Sequence, residues 1–252
     1  MFKNKFDLTN KKILITGASS GIGAATAKLL SFLNSDLVLT GRDDVKLSET
    51  IKSLKTSNNC IKILGDLKDE IFIKNLIESI DRPLDGLVIS AGIVKTKPLK
   101  FYNKEDFQEI MSINFELPIL LCTKLLKAKK INKGSSIVFI SSIAGNYVAD
   151  IGNGIYSASK GALNGIQKVM CLELAPQKIR VNSICPGMVK TPLIQENLSA
   201  VNTEQLKKNE LLYPLGYGEA EDVAYGAAFL LSDASRWISG TSIVMDGGFS
   251  IS

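Results

Sequence analysis

Seven short apolar runs recur along the chain, separated by stretches in which apolar residues return every three or four positions. The runs are KKILIT (11–16), DLVLT (36–40), IKIL (61–64), GLVIS (86–90), SIVFIS (136–141), IRVNSI (179–184) and SIVMD (242–246). They are rich in Val and Ile and place apolar residues side by side, so both faces need cover, as in strands buried inside a parallel sheet. The intervening AATAKLLSFL, DEIFIKNLIESI and EDVAYGAAFLLS read as amphipathic helices. The last follows Gly216-Tyr217-Gly218 and opens on acidic residues, which suit the positive start of a helix. This β-α alternation predicts one doubly wound α/β domain over residues 1–252, a seven-stranded parallel sheet with helices on both faces. No linker, low-complexity tract or repeat interrupts it. Ligands in such sheets bind beyond the carboxyl ends of the strands, at the topological switch point.

The first strand runs into Thr16-Gly17-Ala18-Ser19-Ser20-Gly21-Ile22-Gly23 and then into the first helix. Glycines at that junction let backbone N–H groups and the positive helix end approach a pyrophosphate. The spacing is G-x-x-x-G-x-G, and its place between strand and helix makes it a dinucleotide signature in a Rossmann-like domain. The second strand ends in Thr40-Gly41-Arg42-Asp43. Arg42 offers a planar charged fork for a ribose 2′-phosphate, with Ser19 and Ser20 as supplementary hydroxyl donors. That favours NADP(H). Asp43, able to accept from a 2′-hydroxyl, leaves NAD(H) open, and Arg42 as a solvated turn residue paired to Asp43 or Asp44 is the bland alternative.

Composition narrows the classes. A chain of 252 residues, 45% hydrophobic and 22% charged, suits one soluble globular α/β domain. No apolar run approaches membrane-spanning length, and MFKNKFDLTNKK lacks the apolar core of a signal peptide, so a cytoplasmic location is expected. Cys60, Cys122, Cys171 and Cys185 are widely spaced with no C-x-x-C, which points to free thiols rather than a disulfide framework or a zinc site. The net charge of +5 is too mild to argue for nucleic acid, and suits an anionic cofactor or an acidic partner.

The chain contains no histidine, which removes the commonest general acid/base. Proton transfer then falls to tyrosine, lysine, carboxylate or cysteine. Of the six tyrosines only Tyr156 has a lysine four residues on, Lys160. Residues at that spacing share a helix face, so the ammonium is expected to sit beside the phenol and lower its pKa. A surface Tyr/Lys pair of no catalytic meaning shares that spacing often. Ser142, at the end of the fifth strand, precedes Tyr156 by fourteen positions, so a short loop can bring both hydroxyls to one carbonyl oxygen.

Together these residues resemble the short-chain dehydrogenase/reductase family in its compact single-domain form, and are similar to its 3-oxoacyl-acyl-carrier-protein reductases. The resemblance covers nearly the whole chain: TGASSGIG, Asp66, Ser90-Ala91-Gly92, Asn114 in MSINF, Ser142, Tyr156 with Lys160, Pro186-Gly187 with Thr191, and the closing SGTSIVMDGGFS. One departure is Ser90, where the family pattern has asparagine in a strand-supporting role. The resemblance implies an NAD(P)-dependent alcohol/carbonyl oxidoreductase. Tyr156 would be its general acid or base, and Lys160 would hold the nicotinamide ribose and depress the phenol. Ser142 would polarise the carbonyl, and Asn114 would hold a water linking Lys160 to solvent. It implies cofactor contacts at Gly17, Ser19, Ser20, Gly21, Ile22, Gly23, Arg42, Asp66, Leu67, Ala91, Gly92, Tyr156, Lys160, Pro186, Gly187, Val189 and Thr191, with Asp66 at the adenine edge and Thr191 at the carboxamide.

Substrate identity falls to a lid segment at about 190–214 and to the loop between Ser142 and Tyr156. The apolar Leu193, Ile194, Leu198, Leu206, Leu211, Leu212 and Tyr213, with Ile143, Asn146, Tyr147, Val148 and Ile151, carry no charged anchor, so a neutral alcohol or carbonyl is expected. Candidate chemistries are 3-oxoacyl-thioester reduction, sugar or polyol oxidation and hydroxysteroid oxidation; a non-catalytic dinucleotide-binding regulator is the other class. Lys124, Lys127, Lys129, Lys130 and Lys133, with Lys178, suggest docking of an acidic acyl-carrier protein, or simply a solvated helix end. The resemblance also implies a homotetramer.

Overall fold

The computed structural model describes residues 4–55, 60–192 and 208–252. Seven strands form one parallel sheet: β1 (Lys12–Thr16), β2 (Asp36–Gly41), β3 (Cys60–Leu64), β4 (Leu84–Ile89), β5 (Ile131–Ile140), β6 (Arg180–Pro186) and β9 (Ser242–Met245), in the order β3-β2-β1-β4-β5-β6-β9. The helices are α1 (Gly21–Phe32), α2 (Asp44–Lys52), α3 (Glu70–Glu78), α4 (Lys104–Met111), α5 (Leu117–Lys127), α6 (Gly154–Leu174) and α7 (Ala220–Leu231). The doubly wound, Rossmann-like reading of the sequence is met, and the strand order reverses between β1 and β4, which makes their carboxyl ends the switch point.

The consecutive apolar residues divide between two cores because successive strand side chains point to opposite faces. Ile13, Ile15, Leu37, Leu39, Val138, Ile140 and Ile184 pack with α1 and α7. Leu14, Val38, Leu87, Ile89, Ile137, Phe139 and Val181 pack with α3, α5 and α6. Fully burying each such side chain contributes ~2 kcal/mol, so the sheet is a rigid platform for whatever its strand ends carry.

Several boundaries differ from the sequence pattern. β4 starts at Leu84 and stops before Ser90. β5 starts at Ile131, five residues earlier than its apolar run, because Leu84 pairs with Ile131 before the register jumps to Gly86 opposite Ser136. The intervening polar residues bulge, with Gly134 at φ 80° and Asn132 donating to Asp85 at 2.9 Å. Two further strands, β7 (Val189–Lys190) and β8 (Gly218–Glu219), form a separate parallel pair too short to leave a pattern in sequence. β8 leads into α7 through a capping box between Glu219 and Asp222. The four cysteines are free. Among the described residues no helix is long and apolar enough to cross a membrane.

Candidate active site

A cleft of about 910 Å³ opens at the switch point. Of the expected cofactor and catalytic residues it is lined by Gly17, Ser19, Ser20, Gly21, Ile22, Arg42, Asp66, Leu67, Ala91, Gly92, Ser142, Tyr156, Lys160, Pro186, Gly187, Val189 and Thr191. Gly23 and Asn114 stand just behind that lining. An added Cβ at Gly23 would lie 2.2 Å from the Gly17 carbonyl oxygen, and one at Gly92 would lie 3.2 Å from Asn114 Oδ1 and 3.5 Å from Lys160 Nζ.

One end of the cleft fits a pyrophosphate. α1 starts after Ser20, which makes no side-chain cap bond, and its first turn carries no acidic residue. By contrast α2, α3, α4 and α7 all open on acidic side chains. The amides that begin α1 are therefore neither capped by Ser20 nor shielded by a carboxylate, the arrangement that receives an anion. Gly17 and Gly21 hold the turn at φ 68° and 52°. Thr16 Oγ1 accepts from Ser90 N at 3.2 Å and Ala91 N at 3.3 Å, tying the two strand ends that flank the switch point. The Ser90 position thus keeps its strand-end support through its backbone. Gly23→Ala should destabilise the protein by ~2–3 kcal/mol, since backbone rather than a flexible side chain must yield. It should also abolish nucleotide binding, both readable by denaturant melts with and without cofactor.

At the far end of β2, Arg42 Nη1 lies 3.8 Å from Asp66 Oδ2. The pairing with Asp43 or Asp44 considered from sequence is not the one formed. Asp43 is the N-cap of α2, its carboxylate accepting from Lys46 N at 3.0 Å. Lys46, absent from the sequence reading, also lines the cleft.

The other end brings together the residues expected to carry the chemistry. Ser142 closes β5 as N-cap of a single turn of 3-10 helix, its Oγ accepting from Ala144 N at 3.1 Å. Tyr156, in the first turn of α6, lines the same cleft, so the fourteen-residue separation brings both hydroxyl-bearing residues to one cavity. Lys160 follows one turn later, and its Nζ donates to Ile140 O at 2.8 Å. The loop between them is pinned by close backbone approach: a Cβ at Gly145 would lie 2.8 Å from Gly161 N and 2.9 Å from the Lys160 carbonyl carbon. Ser141 Oγ donates to Lys160 O at 3.1 Å, adding a second tie.

Asn114 sits in a π-helical turn, Ser112–Glu116, that joins α4 to α5. Such turns recur at functional positions. Its Oδ1 accepts from Ile93 N at 2.8 Å, and its Nδ2 donates to Ile93 O at 2.9 Å and to Ser159 Oγ at 3.1 Å. Ser159 in turn donates to Tyr156 O at 2.7 Å. The amide side chain therefore braces the β4 loop against α6 beside Tyr156.

One expectation is reversed. Burial pushes the Tyr156 phenol up from 10.0, opposed by the Ser142 hydroxyl. Lys160 does not lower it here, because its ammonium is turned to the Ile140 carbonyl and lies 5.8 Å from the Tyr156 ring centre. Burial also lowers Lys160 itself, from 10.5 to about 8. Between those two values the unfolded chain binds more protons than the folded one, so the Lys160 contribution to stability rises with pH across that window. Below it both states are protonated and the full penalty, about 3 kcal/mol, is present. Relative to Lys160→Met, the ligand-free protein should therefore recover most of that difference between pH 7.5 and 10, read from urea midpoints; a pH-independent difference would refute the buried ammonium.

Of the expected lid, residues 193–207 lie outside the described residues, including Leu193, Ile194, Leu198 and Leu206. The far end of that segment meets the site again: Tyr213 OH accepts from Met188 N at 3.3 Å, and its ring stacks on Phe249 with centres 4.3 Å apart. In the second loop Tyr147 OH reaches Ser242 O at 3.5 Å, and Ile151 is 95% exposed. Ile93, Ile113, Leu117 and Pro192 also line the cleft and were not singled out by sequence, since apolar residues near a strand end read as core.

Residues 17–250 match a family model described as enoyl-(acyl carrier protein) reductase. The chain is 37% identical over 243 residues to a 3-oxoacyl-[acyl-carrier-protein] reductase of Rickettsia conorii, covering 96% of this chain and 98% of that one. It is 32% identical over 255 residues to a tropinone reductase homolog of Arabidopsis thaliana, covering 99% and 93%. Among solved structures, a short-chain dehydrogenase/reductase (glucose/ribitol dehydrogenase) from Brucella melitensis superposes with a TM-score of 0.90 at 31% identity, covering 99% of this chain and 100% of that one.

Proposed function

This chain belongs to the short-chain dehydrogenase/reductase family of NAD(P)-dependent oxidoreductases, and from that premise we propose that it reduces a 3-oxoacyl thioester, with NADP(H) as cofactor and Tyr156 as the proton donor. When bound, the nicotinamide supplies the hydride. The observation that carries the reading is that Ser142, Tyr156 and Lys160 line one cleft together with the glycine turn, Lys160 standing one helical turn behind Tyr156. Two hydroxyls side by side can direct two hydrogen bonds at one carbonyl oxygen. As the carbon gains hydride, negative charge develops on that oxygen; Ser142 stabilises it and Tyr156 transfers its proton to it. A phenol kept protonated by burial is suited to the reductive direction, in which it must start as an acid. Lys160 is placed to hold the ribose hydroxyls and to return a proton, and a water at the Asn114 π turn would connect it to solvent. Arg42 supports NADP(H), and Asp43, which would be needed to read a 2′-hydroxyl, is already engaged as a helix cap.

The acyl-thioester assignment rests on likeness to the Rickettsia conorii enzyme. Reduction of a carbon–carbon double bond, named in the matching family description, is the second reading. It delivers hydride to the β-carbon and a proton to the α-carbon, so turnover with the two kinds of thioester separates the readings. Sugar, polyol or hydroxysteroid oxidation and a non-catalytic dinucleotide-binding role are the remaining alternatives. An acidic acyl-carrier protein is the proposed partner. The basic run is partly engaged within the chain, Lys124 with Glu70 at 3.4 Å and Lys130 with Ile80 O, which leaves Lys127, Lys129 and Lys133 as the residues to carry docking. A homotetramer is supported by Phe107, Leu120, Val169 and Leu172, exposed apolar residues on α4, α5 and α6. Cofactor absorbance should fall with a 3-oxoacyl thioester and not with the matching enoyl thioester. The opposite preference would transfer the assignment to the second reading, and cofactor binding without turnover across ketones, enoyl thioesters and alcohols would favour the non-catalytic one.

A further inference from the structure

Four charged side chains meet where β2 ends at the cleft, and two of them are cations. Arg42 extends from the strand end and is held 3.8 Å from Asp66. Lys46, one turn into α2, lines the same cleft, and its Nζ lies 3.9 Å from Asp43 Oδ2. Asp43 also receives the Lys46 backbone N–H, so this carboxylate is engaged by Lys46 at both main chain and side chain. Ser19 closes the group from the glycine turn: a Cβ on Gly41 would lie 3.0 Å from Ser19 Oγ. Both ion pairs are solvent-exposed, with Arg42 63% and Lys46 52% accessible. Exposed pairs of that kind contribute ~0–1 kcal/mol, so a dianion can exchange them at little cost.

We propose that Lys46 is the second cation of the 2′-phosphate site, acting with Arg42, and that Arg42 reaches the phosphate by leaving Asp66. The inference rests on the NADP(H) reading and assigns it a residue and a competing contact. Arg42 supplies the planar fork and Lys46 a mobile point charge, and the Ser19 hydroxyl stands against Gly41 in the same cleft. Asp66 acts as the resting partner of Arg42, so Arg42 exchanges an internal carboxylate for the incoming phosphate.

Adenosine fragments test this without substrate or nicotinamide. Calorimetric titration of the intact protein with adenosine 2′,5′-bisphosphate and with 5′-AMP gives a ratio of affinities that reports the 2′-phosphate alone. Lys46→Gln should weaken the bisphosphate about tenfold, the size of one charge-assisted hydrogen bond, and leave 5′-AMP within about twofold. Asp66→Asn should raise the ratio in favour of the bisphosphate, any loss at the adenine edge cancelling because both fragments carry adenine. An unchanged ratio in Lys46→Gln, or equal weakening of both fragments, would overturn the role of Lys46. Wild-type protein that binds 5′-AMP but shows no preference for the bisphosphate would overturn the NADP(H) reading together with it.

Discussion

Tyr156→Phe should reduce kcat/KM by ~10³-fold or more while leaving cofactor affinity within about twofold. The substitution removes one hydroxyl and keeps the ring at the start of α6. No histidine stands elsewhere in the chain to take over the proton. The nearby thiol, Cys185, is itself pushed up by burial, which weakens it as a proton donor. Steady-state turnover beside calorimetric cofactor binding separates the two effects. Retained turnover in the variant would end the assignment of Tyr156 as donor, whereas loss of both turnover and cofactor binding would indicate that the helix start had been disturbed instead.

Arg42→Asp should weaken NADP(H) by ~100-fold and NAD(H) by less than about threefold. The change deletes the bidentate fork and places a carboxylate where a dianion must sit. It also leaves Asp66 without its cation, so two acidic side chains then face the phosphate. NAD(H), with a hydroxyl at that position, meets neither penalty. Kinetic constants for both cofactors measure the outcome, and an unaltered preference would remove Arg42 from the site. Because the wild-type pair is solvent-exposed, folding stability should change little, which keeps the result interpretable.

Most of the architecture was legible because it depends on local pattern. Consecutive Val and Ile runs demanded cover on both faces, and the two cores on either side of Ile13, Leu14 and Ile15 supply it. The glycine turn was legible for the same reason: Gly17, Gly21 and Gly23 answer to backbone geometry that adjacent residues specify. What escaped depends on residues distant in sequence. The early start of β5 follows from where Leu84 meets Ile131, which no run of apolar residues announces. The Arg42 partner is Asp66, at the end of a different strand, although Asp43 and Asp44 are its neighbours in the chain. Lys46 had a usable signal, since it stands four residues after Arg42 in the first turn of a helix capped by Asp43. The direction of the Tyr156 shift could not be read from its spacing to Lys160. Spacing reports proximity along a helix, whereas the shift is set by the protein packed around the phenol and by a carbonyl of β5 that captures the ammonium.

The glycine-to-glycine contact between Gly145 and α6 bears on how new specificities can arise on this scaffold. It clamps the first part of the loop to the helix that carries the proton donor, so insertions upstream of Gly145 would drag Tyr156 out of line. Beyond it, residues 146–151 are mostly exposed and include Ile151 at 95%. Diversification for bulkier or smaller substrates is thereby channelled into that outer half of the loop, where length and side chains can vary while the reacting groups keep their alignment.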